Sequence, residues 1–368
     1  MKVKAAVVRQ TGGKFDIAEL DLDEPRDDEI LVRVKGVGLC HTDLVARDGF
    51  MPFAPPAVLG HEGSGFVERI GATVRKVKPG DAVGITFRSC GKCPRCMRGE
   101  PAYCYTMPQL NYAGMRPDGS KALHEHGADI VSNFFGQSSF ATYALAYERN
   151  VVKLPDDVPV ELMGPLGCGV QTGAGGIMRS LACERGSTLL VLGGGAVGLS
   201  AVMGAVIRGC STIIVAEPHA ARRKIAHELG ATHTIDPKAS PDLPAAVRQI
   251  VPIGVDYAFD TTGIPAVLQA TMGCLGPHGA FGIVGVPPPG TPVPGDLLSA
   301  ITFGHTVKGI IEGDSDPDTF IPEMISLYKA GRFPFDRLIR TYPMSEINKA
   351  IEDQHRGDCV KVVLLPDA

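Results

Sequence analysis

Cys90-Gly-Lys-Cys93-Pro-Arg-Cys96, followed by Cys104, sets four thiols at the spacing C-x2-C-x2-C-x7-C. Tetrahedral Zn²⁺ takes four soft donors about 2.3 Å from the metal, and two-residue gaps let a tight loop wrap thiolates around one ion. Four unrelated core cysteines, or two disulfides, would not need so regular a spacing. With a protein ligand at every position the site has no room for substrate, so the zinc expected here is structural. Lys92, Arg95 and Arg98 make the loop locally basic, which leaves open a zinc-ribbon-like binding module for nucleic acid or protein.

A second chemical signal is Gly193-Gly-Gly195-Ala-Val197-Gly198, a G-x-G-x-x-G run directly after the apolar strand Leu189–Leu192 and directly before a helix. In that context the first glycine makes the turn, the second admits a pyrophosphate and the third packs helix on strand. The helix N-terminus then offers free N–H groups to phosphate. Glu217 closes the next strand, nineteen residues after Gly198. An acid there accepts hydrogen bonds from ribose hydroxyls and repels a 2′-phosphate, which favours NAD over NADP. Arg222-Arg223 just beyond softens that preference.

Cys40, His61 and Cys168 remain once the loop cysteines are set aside. Each is flanked by glycine or stands at a strand end, where a side chain can be aimed into a cleft. Two cysteines and a histidine form a zinc ligand set that leaves a fourth position open for chemistry. Spacing alone does not connect residues so far apart, and taken singly each reads equally as a core residue. Cys183, Cys210, Cys274 and Cys359 read as small core residues.

Two kinds of element must position these groups. Val3–Val8 and Glu29–Val37 are β-rich runs, and glycine-punctuated strands continue through Asp81–Phe87. This part reads as an irregular all-β lobe, a partly open barrel from which the cysteine loop projects, with Tyr105–Phe140 as a long loop. From Val151 the texture changes. Strands over Ser187–Gly193, Thr212–Glu217, Val255–Asp260 and Ala280–Val284 alternate with helices over Ala196–Arg208 and His219–Leu229. That alternation implies a parallel sheet with helices on both faces, an α/β class. Helices over Pro322–Ala330 and Ser345–Gln354 follow, and a final strand Cys359–Leu365 is placed to return to the first lobe.

The 368 residues give room for two domains, and 44% apolar with 21% charged residues is ordinary for a soluble globular chain. A formal net charge of −4 carries no overall basic bias toward nucleic acid. No apolar run approaches the roughly 18–20 residues that cross a bilayer, and the N-terminus lacks a signal pattern. Ten cysteines without such a signal point to a reducing cytoplasm.

Gly60-His61-Glu62, the four-cysteine loop, Cys40 and the glycine unit occur in an order that resembles the zinc-dependent medium-chain alcohol dehydrogenase family, over nearly the whole chain. Cys40-His-Thr-Asp and Pro165-Leu-Gly-Cys168-Gly-Val-Gln-Thr172-Gly-Ala-Gly most resemble the bacterial aryl (benzyl) alcohol dehydrogenases. The resemblance implies a discontinuous β-rich, chaperonin-10-like catalytic domain (residues 1–169 and 312–368) and a doubly wound Rossmann domain for NAD (170–311), with the active site in the cleft between them. It implies two zincs per chain, one on Cys90, Cys93, Cys96 and Cys104, the other on Cys40, His61 and Cys168.

It further implies that Thr42 accepts the alcohol proton, that Asp43 orients the histidine ligand and that Glu62 sits near zinc. His41 would contact the coenzyme pyrophosphate and Thr172 the nicotinamide end, with Gly193, Gly195, Val197, Gly198, Glu217 and Arg222 holding the rest. Lys361 is either a second phosphate contact or a solvated strand-edge lysine. Phe50, Met51, Phe87 and Leu110 line the substrate pocket or are plain packing. Many members carry a relay histidine near Val45, and valine cannot titrate.

The implied reaction is reversible oxidation of a primary aryl or allylic alcohol by zinc-alkoxide hydride transfer. The enzyme is expected to be a cytoplasmic homo-oligomer, a dimer or tetramer, with no nucleic-acid or membrane partner. A polyol dehydrogenase or a glutathione-dependent formaldehyde dehydrogenase reuses the same zinc chemistry. Zinc-free quinone or enone reductases share the fold but do not need Cys40, His61, Cys168 or the cysteine loop. Serine at Cys93 or Cys104 is expected to lower the thermal midpoint or assembly before it lowers turnover. Loss of turnover alone, at full stability, would contradict a structural site.

Overall fold

The computed structural model describes residues 1–366. It divides into two compact units, one of residues 1–169, 316–324 and 336 onward, the other of residues 170–315 and 325–335.

The first unit holds two sheets. One runs in the order Ala57–Val58, Lys2–Val8, Phe15–Leu22, Leu123–Glu125, Ala128–Ile130. The other runs Val151–Lys153, Ala82–Ile85, Gly63–Ile70, Glu29–Leu39, Lys361–Leu365, Ile339–Pro343, with Tyr143–Tyr147 also paired to Glu29–Leu39. The long strand Glu29–Leu39 organises this sheet. Its register against Gly63–Ile70 shifts between Leu31 and Val32 and again between Val34 and Gly36. Each such irregularity bends a strand and adds twist, so one strand can serve three partners. Ile30, Val32, Val67, Val83, Ile85, Ala146 and Val151 form the core beneath it.

The final strand, Lys361–Leu365, pairs antiparallel with this strand through Val362 opposite Leu39 and Val363 opposite Gly38. The chain's end thus returns to the first lobe and brings Lys361 beside Cys40. Helix Pro317–Lys329 begins five residues before the Pro322 start expected from sequence. Asp316 supplies the reason: its carbonyl accepts from the Phe320 N–H at 2.9 Å and its carboxylate from the Asp318 N–H at 3.1 Å. The proline is tolerated in the helix's second turn.

Tyr105–Phe140 is more ordered than its sequence suggests, with helix Met107–Tyr112 and the hairpin Leu123–Glu125/Ala128–Ile130. Arg116, 2% exposed, anchors it. Its guanidinium donates to Glu29 at 2.7 and 2.9 Å and to Asp23 at 2.6 Å. A bidentate pair of this kind is directional as well as strong. Its partners lie 87 and 93 residues upstream, so local sequence carries no trace of it.

The second unit is a six-stranded parallel sheet in the order His233–Ile235, Thr212–Ala216, Thr188–Leu192, Val255–Asp260, Leu275–Ile283, Thr306–Gly309. The central strands, TLLVL and TIIVA, are apolar almost throughout and buried, as strands covered on both faces must be. Helix Ala196–Arg208 is largely buried and ends where Gly209 adopts φ +78°, its N–H returning to Ala205 and Val206 carbonyls. The strand order reverses between Thr188–Leu192 and Val255–Asp260. In open α/β sheets, ligands bind outside the carboxyl ends of strands at such a switch point. Among the described residues, no helix is long and apolar enough to cross a membrane.

Candidate active site

Cys40 ends the long strand and stands at the N-cap of helix His41–Arg47. The helix turns Asp43 inward, where it is fully buried. One carboxylate oxygen accepts from His61 Nδ1 at 2.9 Å and from the Gly60 N–H at 3.0 Å; the other accepts from the Cys40 N–H at 3.0 Å. Asp43 therefore sets the tautomer of His61. With Nδ1 turned to Asp43, Nε2 is the ring nitrogen left to face the thiols.

Cys168 arrives from far along the chain because Gly164–Gly167 packs directly on the strands that flank His61. A Cβ on Gly164 would lie 2.0 Å from the Glu62 carbonyl oxygen, so only glycine fits. Thr86 Oγ1 donates to the Gly167 carbonyl at 2.6 Å and fixes the same segment from the other side. Glu62, fully buried, accepts from the Gly169 N–H at 3.2 Å and lies 2.5 Å from Lys361 Nζ. Lys361 also donates to the Leu39 carbonyl at 3.0 Å. At 2% exposure it is a buried ion-pair partner, which corrects the solvated strand-edge alternative.

Ligand atoms of Cys40, His61, Glu62 and Cys168 all lie within 4.8 Å of one another. His61 Nε2 is buried and has no hydrogen-bond partner. An orphaned imidazole nitrogen facing two thiols is costly unless something accepts its lone pair, and a divalent metal is the species those donors fit. The neighbouring Cys168 thiol, then His61 and Lys361, outweigh burial and hold the Cys40 thiol well below its ordinary range. That favours thiolate, the ligand form. Burial pushes Glu62 up to about 7 against the pull of Lys361.

The four loop cysteines form a second cluster within the same limit. Sγ separations are 4.0 Å for Cys90–Cys96 and 3.6 Å for Cys93–Cys96. A tetrahedron with Zn–S bonds of 2.3 Å has edges of about 3.8 Å, so these distances fit zinc. N–H groups of Cys96 and Tyr105 help bring the Cys93 thiol down to about 6. Neither cluster shares a residue with the other.

In the second unit, Gly193 turns with φ +95°, and a Cβ on Gly198 would lie 1.9 Å from the Gly193 carbonyl oxygen. Both glycines are therefore obligatory for this loop. Glu217, 3% exposed, accepts from the Gly194 N–H at 2.7 Å, from the His219 N–H at 2.8 Å and from His219 Nδ1 at 2.7 Å. The acid closes the glycine loop onto the end of the neighbouring strand. Val197 and Arg222 lie half-buried in first helical turns nearby in sequence, and Thr172 is half-buried on helix Gly169–Gly175. His41 is exposed at the first residue of its helix.

The four residues expected around substrate differ in exposure. Phe50 is 74% exposed and Phe87 1%, with Met51 and Leu110 between. Thr42 Oγ1 lies 3.7 Å from Cys40 Sγ. Sequence reading passed over Phe135, whose ring stacks on His61, and over His219 and the turn Asp260–Gly263, where Asp260 accepts from Thr262 Oγ1 at 2.7 Å and Gly263 N–H at 2.8 Å. The last had a signal, a polar run at the carboxyl end of a buried strand. The first had none.

Residues 26–156 match the family model described as alcohol dehydrogenase GroES-like domain, and residues 196–330 the one described as zinc-binding dehydrogenase. The chain is 48% identical over 366 residues to geraniol dehydrogenase of Castellaniella defragrans, covering 99% of this chain and 98% of that protein. The crystal structure of benzyl alcohol dehydrogenase from Acinetobacter calcoaceticus superimposes with a TM-score of 0.96 at 42% identity, over the full length of both chains. A zinc-binding alcohol dehydrogenase domain protein from Burkholderia ambifaria does so with a TM-score of 0.97 at 47% identity, again over both full chains.

Asp43→Asn keeps the shape but removes the anion behind His61. It is expected to weaken zinc at one of two sites by roughly 10–100-fold, leaving the four-cysteine site intact. Stepwise zinc loss to a graded chelator measures both sites in one titration.

Proposed function

The chain belongs to the zinc-dependent medium-chain alcohol dehydrogenases, and from that premise we propose that it oxidises primary aryl or allylic alcohols to aldehydes, reversibly, with NAD. The observation that carries this reading is the largely buried set of Cys40, His61 and Cys168, with Asp43 behind the imidazole and His61 Nε2 unpartnered. Similarity to a geraniol dehydrogenase and a benzyl alcohol dehydrogenase supports the allylic and aryl class.

Bound at that set, zinc supplies the Lewis acidity that makes an alcohol hydroxyl acidic near neutral pH, and NAD supplies the hydride acceptor. The chain's own residues do the rest. Cys40 and Cys168 offer thiolates, His61 a neutral nitrogen, and Asp43 holds the ring. Thr42, on the first turn after Cys40, takes the proton from the substrate hydroxyl. Val45 has no proton to exchange, so the proton leaves Thr42 without a histidine at that position. Lys361 holds the Glu62 carboxylate at 2.5 Å and balances its charge next to the thiolates. In the 170–315 unit, the Gly193–Gly198 loop cradles the pyrophosphate and Glu217 favours ribose hydroxyls over a 2′-phosphate. The four-cysteine loop holds a structural zinc.

A rate comparison of benzyl, cinnamyl, geranyl and short aliphatic alcohols and S-hydroxymethylglutathione, each with NAD and with NADP, tests this reading. Aromatic or allylic alcohols with NAD should give the highest kcat/KM. Preference for the glutathione adduct would move the enzyme to the formaldehyde branch, and preference for NADP would sink the role of Glu217.

Thiolate sites call for a reducing compartment, which supports a cytoplasmic location. The homo-oligomer has its own support in the second unit. Val293, Leu297, Leu298 and Ile301 are 71–76% exposed, in and just before helix Leu297–Phe303, which precedes the edge strand Thr306–Gly309 in sequence. Large apolar side chains exposed together in so short a segment support a contact between copies. Leu297→Glu with Ile301→Glu is expected to shift the sedimenting mass to that of a monomer. An unchanged mass would place the interface elsewhere.

A further inference from the structure

The segment Asn133–Ser139 has an unusual backbone. Asn133 (φ +65°), Phe135 (φ +54°) and Ser138 (φ +56°) are all left-handed without being glycine, and Gly136 is left-handed at φ +67°. Such conformations persist only where the surroundings over-determine them. Here they do. Asn150 Nδ2 donates to the carbonyls of Phe135 and Gly136, each at 3.1 Å. Ser138 Oγ accepts from the Phe134 N–H at 2.9 Å and donates to the Val58 carbonyl at 2.7 Å.

The segment is tied directly to the backbone that carries His61. Gln137 Nε2 donates to the His61 carbonyl at 2.8 Å and its Oε1 accepts from the Gly63 N–H at 3.1 Å. The Ser139 N–H donates to the Gly60 carbonyl at 2.8 Å. The outcome is that Phe135 lies flat on the imidazole, with ring centroids 4.4 Å apart and planes 23° apart, while Phe134 meets it edge-on at 5.5 Å and 90°. Tyr112 also meets Phe135, edge-on at 5.4 Å and 68°.

A single hydrogen bond at Nδ1 leaves an imidazole free to rock about the line to its acceptor. Asp43 provides that bond, so something else must stop the rocking if Nε2 is to stay aimed at the two thiols. A flat ring against one face and an edge against the ring do this. We propose that Asn133–Ser139 is a strained strap and that Phe135 is a positioning residue, whose ring fixes the rotation of His61 and so the direction of Nε2. The bland reading is that Phe135 is core packing; but packing alone does not call for left-handed φ at three residues with side chains within six positions. The inference rests on the reading of Cys40, His61 and Cys168 as a zinc site.

The test uses the intact protein carrying both zincs. Phe135→Leu removes the flat face and keeps bulk, Phe135→Tyr restores a stacking ring, and Val151→Ala opens the core of the same unit as a packing control. Phe135→Gly, whose backbone accepts the same φ, covers the case in which leucine is not tolerated. The readouts are the rate of zinc release from the three-ligand site to a chelator and the ligand-field spectrum after Co²⁺ replacement. The four-cysteine site serves as reference in the same sample. Phe135→Leu should release zinc about tenfold faster or more and shift the Co²⁺ bands, Phe135→Tyr should behave as wild type, and Val151→Ala should lower the melting midpoint without either change. Release and spectrum unchanged in Phe135→Leu, or release equally fast in Val151→Ala, would overturn the proposal. A wild-type protein that binds only the four-cysteine zinc would instead overturn the parent reading.

Discussion

One buried carboxylate joins the segments that matter most in the first unit. Asp43 accepts hydrogen bonds from the His61 ring and the Gly60 N–H on one oxygen and from the Cys40 N–H on the other. A carboxylate with no exposed surface is tolerable only when such donors replace its water. The requirement works in both directions: the donors are held wherever Asp43 needs them, and that places Cys40 and His61 side by side. The helix that begins at Cys40 makes this possible by turning Asp43 back toward its own N-terminus.

The remaining groups reach that centre by close backbone packing and by charge balance. The Gly164–Gly167 segment lies so near the Glu62 carbonyl that no side chain fits at Gly164, and this delivers Cys168. Cys40, held toward thiolate, together with Asp43 and Glu62 concentrates negative charge in a largely buried place. Lys361, carried in by the last strand, supplies the opposing charge. Removing one partner of such a buried pair leaves an uncompensated ion, which costs far more than an exposed pair contributes. The return of the chain's end to the first lobe is thus an electrostatic necessity of the cluster as well as a matter of topology.

The second unit solves a simpler problem with similar means. Its glycine loop is shaped by contacts that admit no Cβ, and Glu217 closes it by accepting from the Gly194 N–H. His219 occupies the other oxygen of the same carboxylate, so the acid at the strand end is already oriented by a neighbour two residues away.

Signals contained in a short window were legible before any coordinates. The cysteine loop was, because all four ligands fall within fifteen residues; helix Ala196–Arg208 was, because its apolar run is bounded by glycines that begin and end it. The order within Tyr105–Phe140 was not, since Arg116 draws it from Glu29 and Asp23, remote in sequence. Phe135 was invisible for the same reason: a phenylalanine among others gives no hint that a left-handed backbone lays it on a histidine. By itself, then, the sequence determined the ligand types, the two kinds of lobe and the nucleotide loop, all of which depend on residue identity and local spacing. Only the tertiary structure decided that Cys40, His61 and Cys168 meet, that Lys361 is buried against Glu62 and that Phe135 holds the imidazole. Those depend on which distant backbones approach closely enough to exclude a side chain or water, and no local pattern encodes that.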